Sequence, residues 1–116
     1  MSVMEKMAVK NGIPELSGKE FEKFISESDA SVVDFFADWC MPCLIMAPVF
    51  EELSEKYKGK IKFGKVNVDD NQSLSSKFKV LSIPTTIFFK KGKEAGRVIG
   101  AMHQDEFEKR LNAAVK

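Results

Sequence analysis

The chain contains two cysteines, and they stand three apart in WCMPC, residues 39–43, around a proline. Three kinds of chemistry use such a pair: a structural disulfide, part of a metal site, or a redox couple. The spacing serves a strut poorly. In the chain-entropy model closing so short a loop stabilises by about 2 kcal/mol, less than half the roughly 4.7 kcal/mol of a 100-residue loop. A zinc site needs four ligands. Beyond Cys40 and Cys43 the chain offers one histidine, His103, and scattered carboxylates, so a metal site would have to be shared across a dimer. A redox couple accounts for the spacing directly. One thiol attacks a disulfide, and a second within reach resolves the mixed disulfide that forms.

The flanking residues say how such a pair would be held. VVDFFA, residues 32–37, is β-branched and aromatic without alternation, which suits a strand covered on both faces. From Pro42 to about Lys58 the apolar positions Met46, Phe50, Leu53 and Tyr57 follow a 4-3-4 rhythm, so a helix is expected there. Gly59 is its expected stop, and Pro48 should kink it. The cysteines then lie at the carboxyl end of a central strand, where a helix opens, the usual edge for chemistry in α/β sheets. Unpaired backbone N–H groups at the helix start would stabilise a Cys40 thiolate, and Pro42 sits where its missing N–H costs nothing. Lowering a thiol pKa by about 1.5 takes about 2 kcal/mol, whereas a helix dipole gives roughly 0.3–1 kcal/mol. Direct N–H···S bonds must supply the remainder. Asp34 lies inside the same apolar run. A buried carboxylate raises its pKa or finds a partner, and beside a resolving thiol it has work as a proton acceptor.

The remaining elements form a scaffold around this junction. Residues 1–13 read as an irregular or loosely packed lead-in, and 14–116 as one domain, an ordinary size for a single core. Ser17-Gly18-Lys19-Glu20 fits a capping box that starts a helix reaching about Ser28. IKFGKVNV, 61–68, reads as a second central strand, and a short helix is expected near 73–78. TTIFFKKGKEAGRVIG makes a hairpin, with strands 85–90 and 95–99 about a turn at Lys91-Gly92. Phe107, Leu111 and Ala114 mark one face of a last helix, with His103 at the surface near its start. The order predicts an α/β fold: a central mixed β-sheet with helices on both faces.

Composition narrows the function. Eighteen basic residues balance 17 acidic ones, which argues against the electrostatic grip that nucleic acid requires. The longest unbroken apolar run, Cys43 to Ala47, is far below the roughly 20 residues of a membrane span. The first fifteen residues are broken by Glu5, Lys6 and Lys10 and lack the apolar core of a secretory signal. A cytoplasmic protein is the simplest reading, and in that compartment a lone cysteine pair is more often catalytic or metal-binding than structural.

Taken together, VDFFADWCMPC, the helix proline Pro48, KVNVDDN, SIPTTIFFKKGK and Gly100, in that order, resemble the thioredoxin family from about residue 15 to 116. The resemblance implies the thioredoxin fold and a general protein-disulfide reductase that needs no cofactor or metal. It makes Cys40 the nucleophile and Cys43 the resolving thiol. It places Asp34 below Cys43 to assist its deprotonation, with Lys65 near that carboxylate. It makes Pro84 a cis proline lying against the cysteines, and assigns client binding to the backbone of Ile83, with Trp39, Met41, Pro42, Thr85, Gly100 and Ala101 around the site. The implied partners are thioredoxin reductase as electron donor and disulfide-containing client proteins, with no nucleic acid or membrane, and the protein acting as a monomer. Three positions depart from the family pattern: Met41 stands where most members have glycine, Leu44 replaces a frequent lysine, and Phe36 replaces a frequent tryptophan. The rival readings are a disulfide oxidase or isomerase on the same fold and a non-catalytic binding module.

Overall fold

The strand β3, Ala30–Phe36, is the middle of the molecule because both of its faces are covered: Val32, Val33 and Phe35 are all fully buried. The structure, a computed structural model, describes the backbone of Val9 and Lys10 and all of residues 12–116. Most of the lead-in expected to be irregular, residues 1–8 and 11, lies outside the described residues. Two short strands, β1 (Val9–Lys10) and β2 (Ile13–Pro14), pair antiparallel, and Ile13 is buried in the core.

Around β3 the sheet is mixed, as the order of elements predicts. β4 (Lys62–Asn67) lies parallel on one side, and β5 (Thr85–Lys90) lies antiparallel on the other, followed by β6 (Lys93–Ile99). The helices are α1 (Gly18–Ser26), α2 (Met41–Lys56), α3 (Gln72–Lys77) and α4 (Gln104–Val115). The family fold is thus present as expected, in a single compact domain.

Strand periodicity divides the core in two. Val32, Phe63, Phe88 and Val98 pack with Met46, Phe50 and Leu53 of α2 and with Phe107 and Leu111 of α4. Val33, Phe35, Val66, Ile87 and Phe89 face the other way, against Phe21 and Ile25 of α1 and Leu74 of α3. Edge-to-face rings knit each layer, with Phe88 and Phe107 at 5.6 Å and Phe21 and Phe89 at 5.6 Å. By the same alternation Asp34, between Val33 and Phe35, must face α2.

Local chemistry sets the element ends. Glu20 Oε1 accepts from both the backbone N–H (3.1 Å) and the hydroxyl (2.7 Å) of Ser17, closing the start of α1. That helix stops at Ser26, two residues earlier than the sequence suggests. The β5–β6 turn has positive φ at both Lys91 (51°) and Gly92 (80°), the two-residue geometry that matches strand twist. β6 begins at Lys93 rather than 95, and a bulge that leaves Ala95 unpaired absorbs the extra length. α2 runs continuously through Pro48, which leaves the Leu44 carbonyl without its usual helical donor.

Candidate active site

Cys40 caps the N-terminus of α2 with extended backbone (φ −89°, ψ 110°), because Ala37–Trp39 turn the chain sharply off β3. Its N–H bonds the Ala37 carbonyl at 3.2 Å, and its own carbonyl accepts from Leu44 at 3.2 Å. Cys40 and Cys43 form a disulfide with their Cα atoms 5.2 Å apart. The Cys43 backbone N–H points at Cys40 Sγ, 3.3 Å away, the position a capping side chain occupies at a helix start. This is the N–H···S bond that a stabilised Cys40 thiolate calls for. Both cysteine residues are buried, Cys40 at 4% exposure and Cys43 at 6%.

Beneath them Asp34 is 2% exposed. Burial pushes its carboxyl from the ordinary 3.8 up to about 6, against the opposing charge of Lys65 and a hydrogen bond from Thr86. The Thr86 hydroxyl donates to Asp34 Oδ1 across a long 3.5 Å. Pairing register explains this company: Lys65 of β4 and Thr86 of β5 are the direct cross-strand neighbours of Asp34. Lys65 also lays its ammonium 5.4 Å from the centre of the Phe36 ring. Asp34, Lys65 and Cys43 line one cleft of about 180 Å³, walled by Ile13, Phe36, Leu44 and Ala47.

The peptide between Ile83 and Pro84 is cis, and Ile83 packs against the cluster of Ala37, Cys40 and Cys43. The Pro84 carbonyl accepts from the Gly100 N–H at 2.8 Å, and Gly100 adopts φ +88°, a conformation suited to glycine. Thr85 is buried, its hydroxyl donating to the Ser82 carbonyl at 2.6 Å. The structure thus gathers Cys40, Cys43, Asp34, Lys65, Ile83, Pro84 and Gly100. Pro42 and Ala101 are exposed at the edge. Trp39 and Met41 project outward at 70% and 67% exposure, and the Trp39 indole N–H is anchored 2.8 Å from Asp69 Oδ2.

Thr86, Asp69 and Glu15, which also lines the cleft, went unnoticed in the sequence. All three meet the site through pairing between distant segments. Among the described residues no group of three or more histidine, cysteine, aspartate or glutamate side chains is placed to hold a metal ion.

The Thioredoxin family model matches residues 12–113. The chain belongs to the thioredoxin family. A thioredoxin from Chlorobaculum thiosulfatiphilum is 37% identical over 99 residues, 84% of this chain and 92% of that one. An M-type chloroplastic thioredoxin from Brassica napus is 40% identical over 101 residues, 86% of this chain; the match spans 57% of that longer protein. The oxidised crystal structure of mitochondrial thioredoxin 3 from Saccharomyces cerevisiae superposes with a TM-score of 0.80 at 32% identity, covering 87% of this chain and 94% of that one. The protein is therefore a thiol–disulfide oxidoreductase, a thioredoxin-family protein-disulfide reductase whose redox group is its own cysteine pair.

Proposed function

We propose that the reaction runs as follows. The Cys40 thiolate attacks one sulfur of a client disulfide; a Cys40–client disulfide forms, and the client's other sulfur leaves as a thiolate. Cys43 gives its proton to Asp34 across the shared cleft and attacks Cys40 Sγ. The client's remaining thiolate departs, two electrons have passed to the client, and the Cys40–Cys43 disulfide is left. Lys65 modulates Asp34. A dithiol donor of the thioredoxin reductase type then returns the pair to the reduced state.

The observation that supports this reading best is the seating of Cys40 at the start of α2, with the Cys43 N–H on its sulfur. A pKa of about 6 leaves most Asp34 ionised at pH 7 and ready to take a proton. The client would lie extended along Ile83 and Pro84, pairing by backbone, which suits many client sequences. Around that track Trp39, Met41, Leu44 and Ile45 are exposed, and residues 39–50 carry no charge, so apolar segments are the natural clients. The remaining assignments, a monomer in the cytoplasm that binds neither nucleic acid nor membrane, rest on balanced charge and sparse cysteine. No helix among the described residues is long and apolar enough to cross a membrane.

The test is trapping. Cys43→Ser should accumulate client adducts through Cys40, and Cys40→Ser should lose turnover and form none. Adducts in the Cys40→Ser protein would refute the assignment. The reduction potential, read by Trp39 fluorescence in dithiothreitol buffers, should fall near about −270 mV, the established figure for thioredoxins rather than one worked from this geometry. A value of roughly −180 to −120 mV would instead indicate an isomerase or oxidase.

A further inference from the structure

We infer that Glu15 is a positioning residue for Asp34: it shares Lys65 with that buried carboxylate and so sets how readily Asp34 takes a proton. The residues form a row across the molecule. Glu15 pairs with Lys65 as an isolated parallel bridge, Lys65 pairs with Asp34, and Asp34 pairs with Thr86. Side chains in direct register stand on the same face about 5 Å apart at Cβ. The faces agree: Ile13, Phe63, Val32 and Phe88, each two residues from a member of the row, all pack toward α2 and α4. The Leu16 N–H bonds the Lys65 carbonyl at 2.7 Å, which pins Glu15 in this register.

Glu15, Lys65 and Asp34 all line the cleft below Cys43. The charged groups facing that cleft are Glu15 from the chain beyond β2, Lys65 from β4, Asp38 after β3 and Glu51 from α2, with Cys43 above Asp34. Among the described residues that line it, Lys65 is the single cation. Standing in register between carboxylates on either side of it, its ammonium would divide its favourable interaction between them. Every part of it drawn toward Glu15 is withdrawn from ionised Asp34, and the negative charge of Glu15 adds to the same effect. Both actions keep Asp34 a better proton acceptor than burial beside an undivided lysine would. The family resemblance placed Lys65 near Asp34; the carboxylate on its far side was not expected.

The consequence for turnover rests on the role proposed above for Asp34, so the first readout is chosen to be independent of it. The carboxyl carbon of Asp34 is titrated by NMR in the oxidised protein, whose disulfide-bonded cysteines do not titrate. Glu15→Gln should lower the half-point by roughly half a pH unit to one pH unit, and Glu15→Asp should restore most of it. In a Lys65→Met background the same Glu15→Gln change should shift the half-point by less than half as much. An unmoved half-point in Glu15→Gln, or an equal shift with and without Lys65, overturns the inference. The pH–rate profile for release of a trapped client is measured alongside. If the NMR half-point moves and the rate profile does not, Glu15 positions Asp34 as inferred, and the proton-accepting role of Asp34 is what fails.

Discussion

Replacing Asp34 by asparagine should make the oxidised protein more stable at neutral pH and nearly remove one component of its pH dependence. Burial raises the Asp34 pKa from 3.8 to about 6, with Lys65 and Thr86 opposing the rise. At about 1.4 kcal/mol per pH unit that difference corresponds to about 3 kcal/mol. Its sign follows from which state holds the proton more tightly. Folded Asp34 binds its proton more strongly than the unfolded chain does. The associated stability is present in full below pH 3.8 and is lost as pH rises through about 6. By pH 8 the wild-type protein carries an ionised carboxylate that is only 2% exposed, and the asparagine variant does not. Asparagine keeps an oxygen for the Thr86 hydroxyl, and any cost of its buried amide is independent of pH. Urea unfolding of both proteins at pH 4, 5, 6, 7 and 8 isolates the effect, because other titrations cancel in the difference. The stability of the variant relative to wild type should rise by about 2.4 kcal/mol from pH 4 to pH 8, most steeply near pH 5, midway between the unfolded and folded pKa values. With slopes of about 1–3 kcal/mol per molar urea, this changes the separation of the midpoints by roughly 1–2 M across the series. A difference that stays constant across the series, or shrinks with rising pH, refutes the electrostatic account of Asp34.

Two further substitutions probe the scaffold. A methyl group at Gly64 would lie 2.8 Å from Leu16 Cδ1 and 3.1 Å from the Phe24 ring. Gly64→Ala should therefore destabilise by about 1–3 kcal/mol in thermal melts, and an unchanged midpoint would mean that α1 yields freely. The Tyr57 hydroxyl donates to Glu108, which also binds Lys56 at 2.5 Å, and so ties the end of α2 to α4. Tyr57→Phe should cost about 1 kcal/mol in urea unfolding and leave insulin-type disulfide reduction unchanged; a loss of turnover would show that this end of α2 reaches the active site.

What the sequence reveals of this site is what lies close along the chain. The cysteines, the apolar strand before them and the helix after them are neighbours in order, so their junction is readable from patterning and proline placement. The Lys91-Gly92 turn is equally local. The state of the Ile83–Pro84 bond came from the family likeness, since no residue there dictates it. The Glu15–Lys65–Asp34–Thr86 row could not be read, because it depends on strand order and register among four segments. The Trp39–Asp69 bond joins residues 30 apart for the same reason. Ile13 illustrates a different limit: it follows a glycine and precedes a proline, a locally irregular context, and only packing against the sheet gives it a buried place.

The burial of the cysteine pair would, with Cys40 as the proposed nucleophile, make the protein a judge of how its clients are folded. With Cys40 only 4% exposed, the attack proposed for it would favour a disulfide that reaches into the site over one set level with a smooth client surface. On the client track proposed above, along Ile83 and Pro84, the disulfide that fits is one on a protruding, locally extended segment. On the same reading, native disulfides clamped in a rigid core are poor clients because of their shape. Those on frayed edges, mobile loops and half-folded chains are admitted.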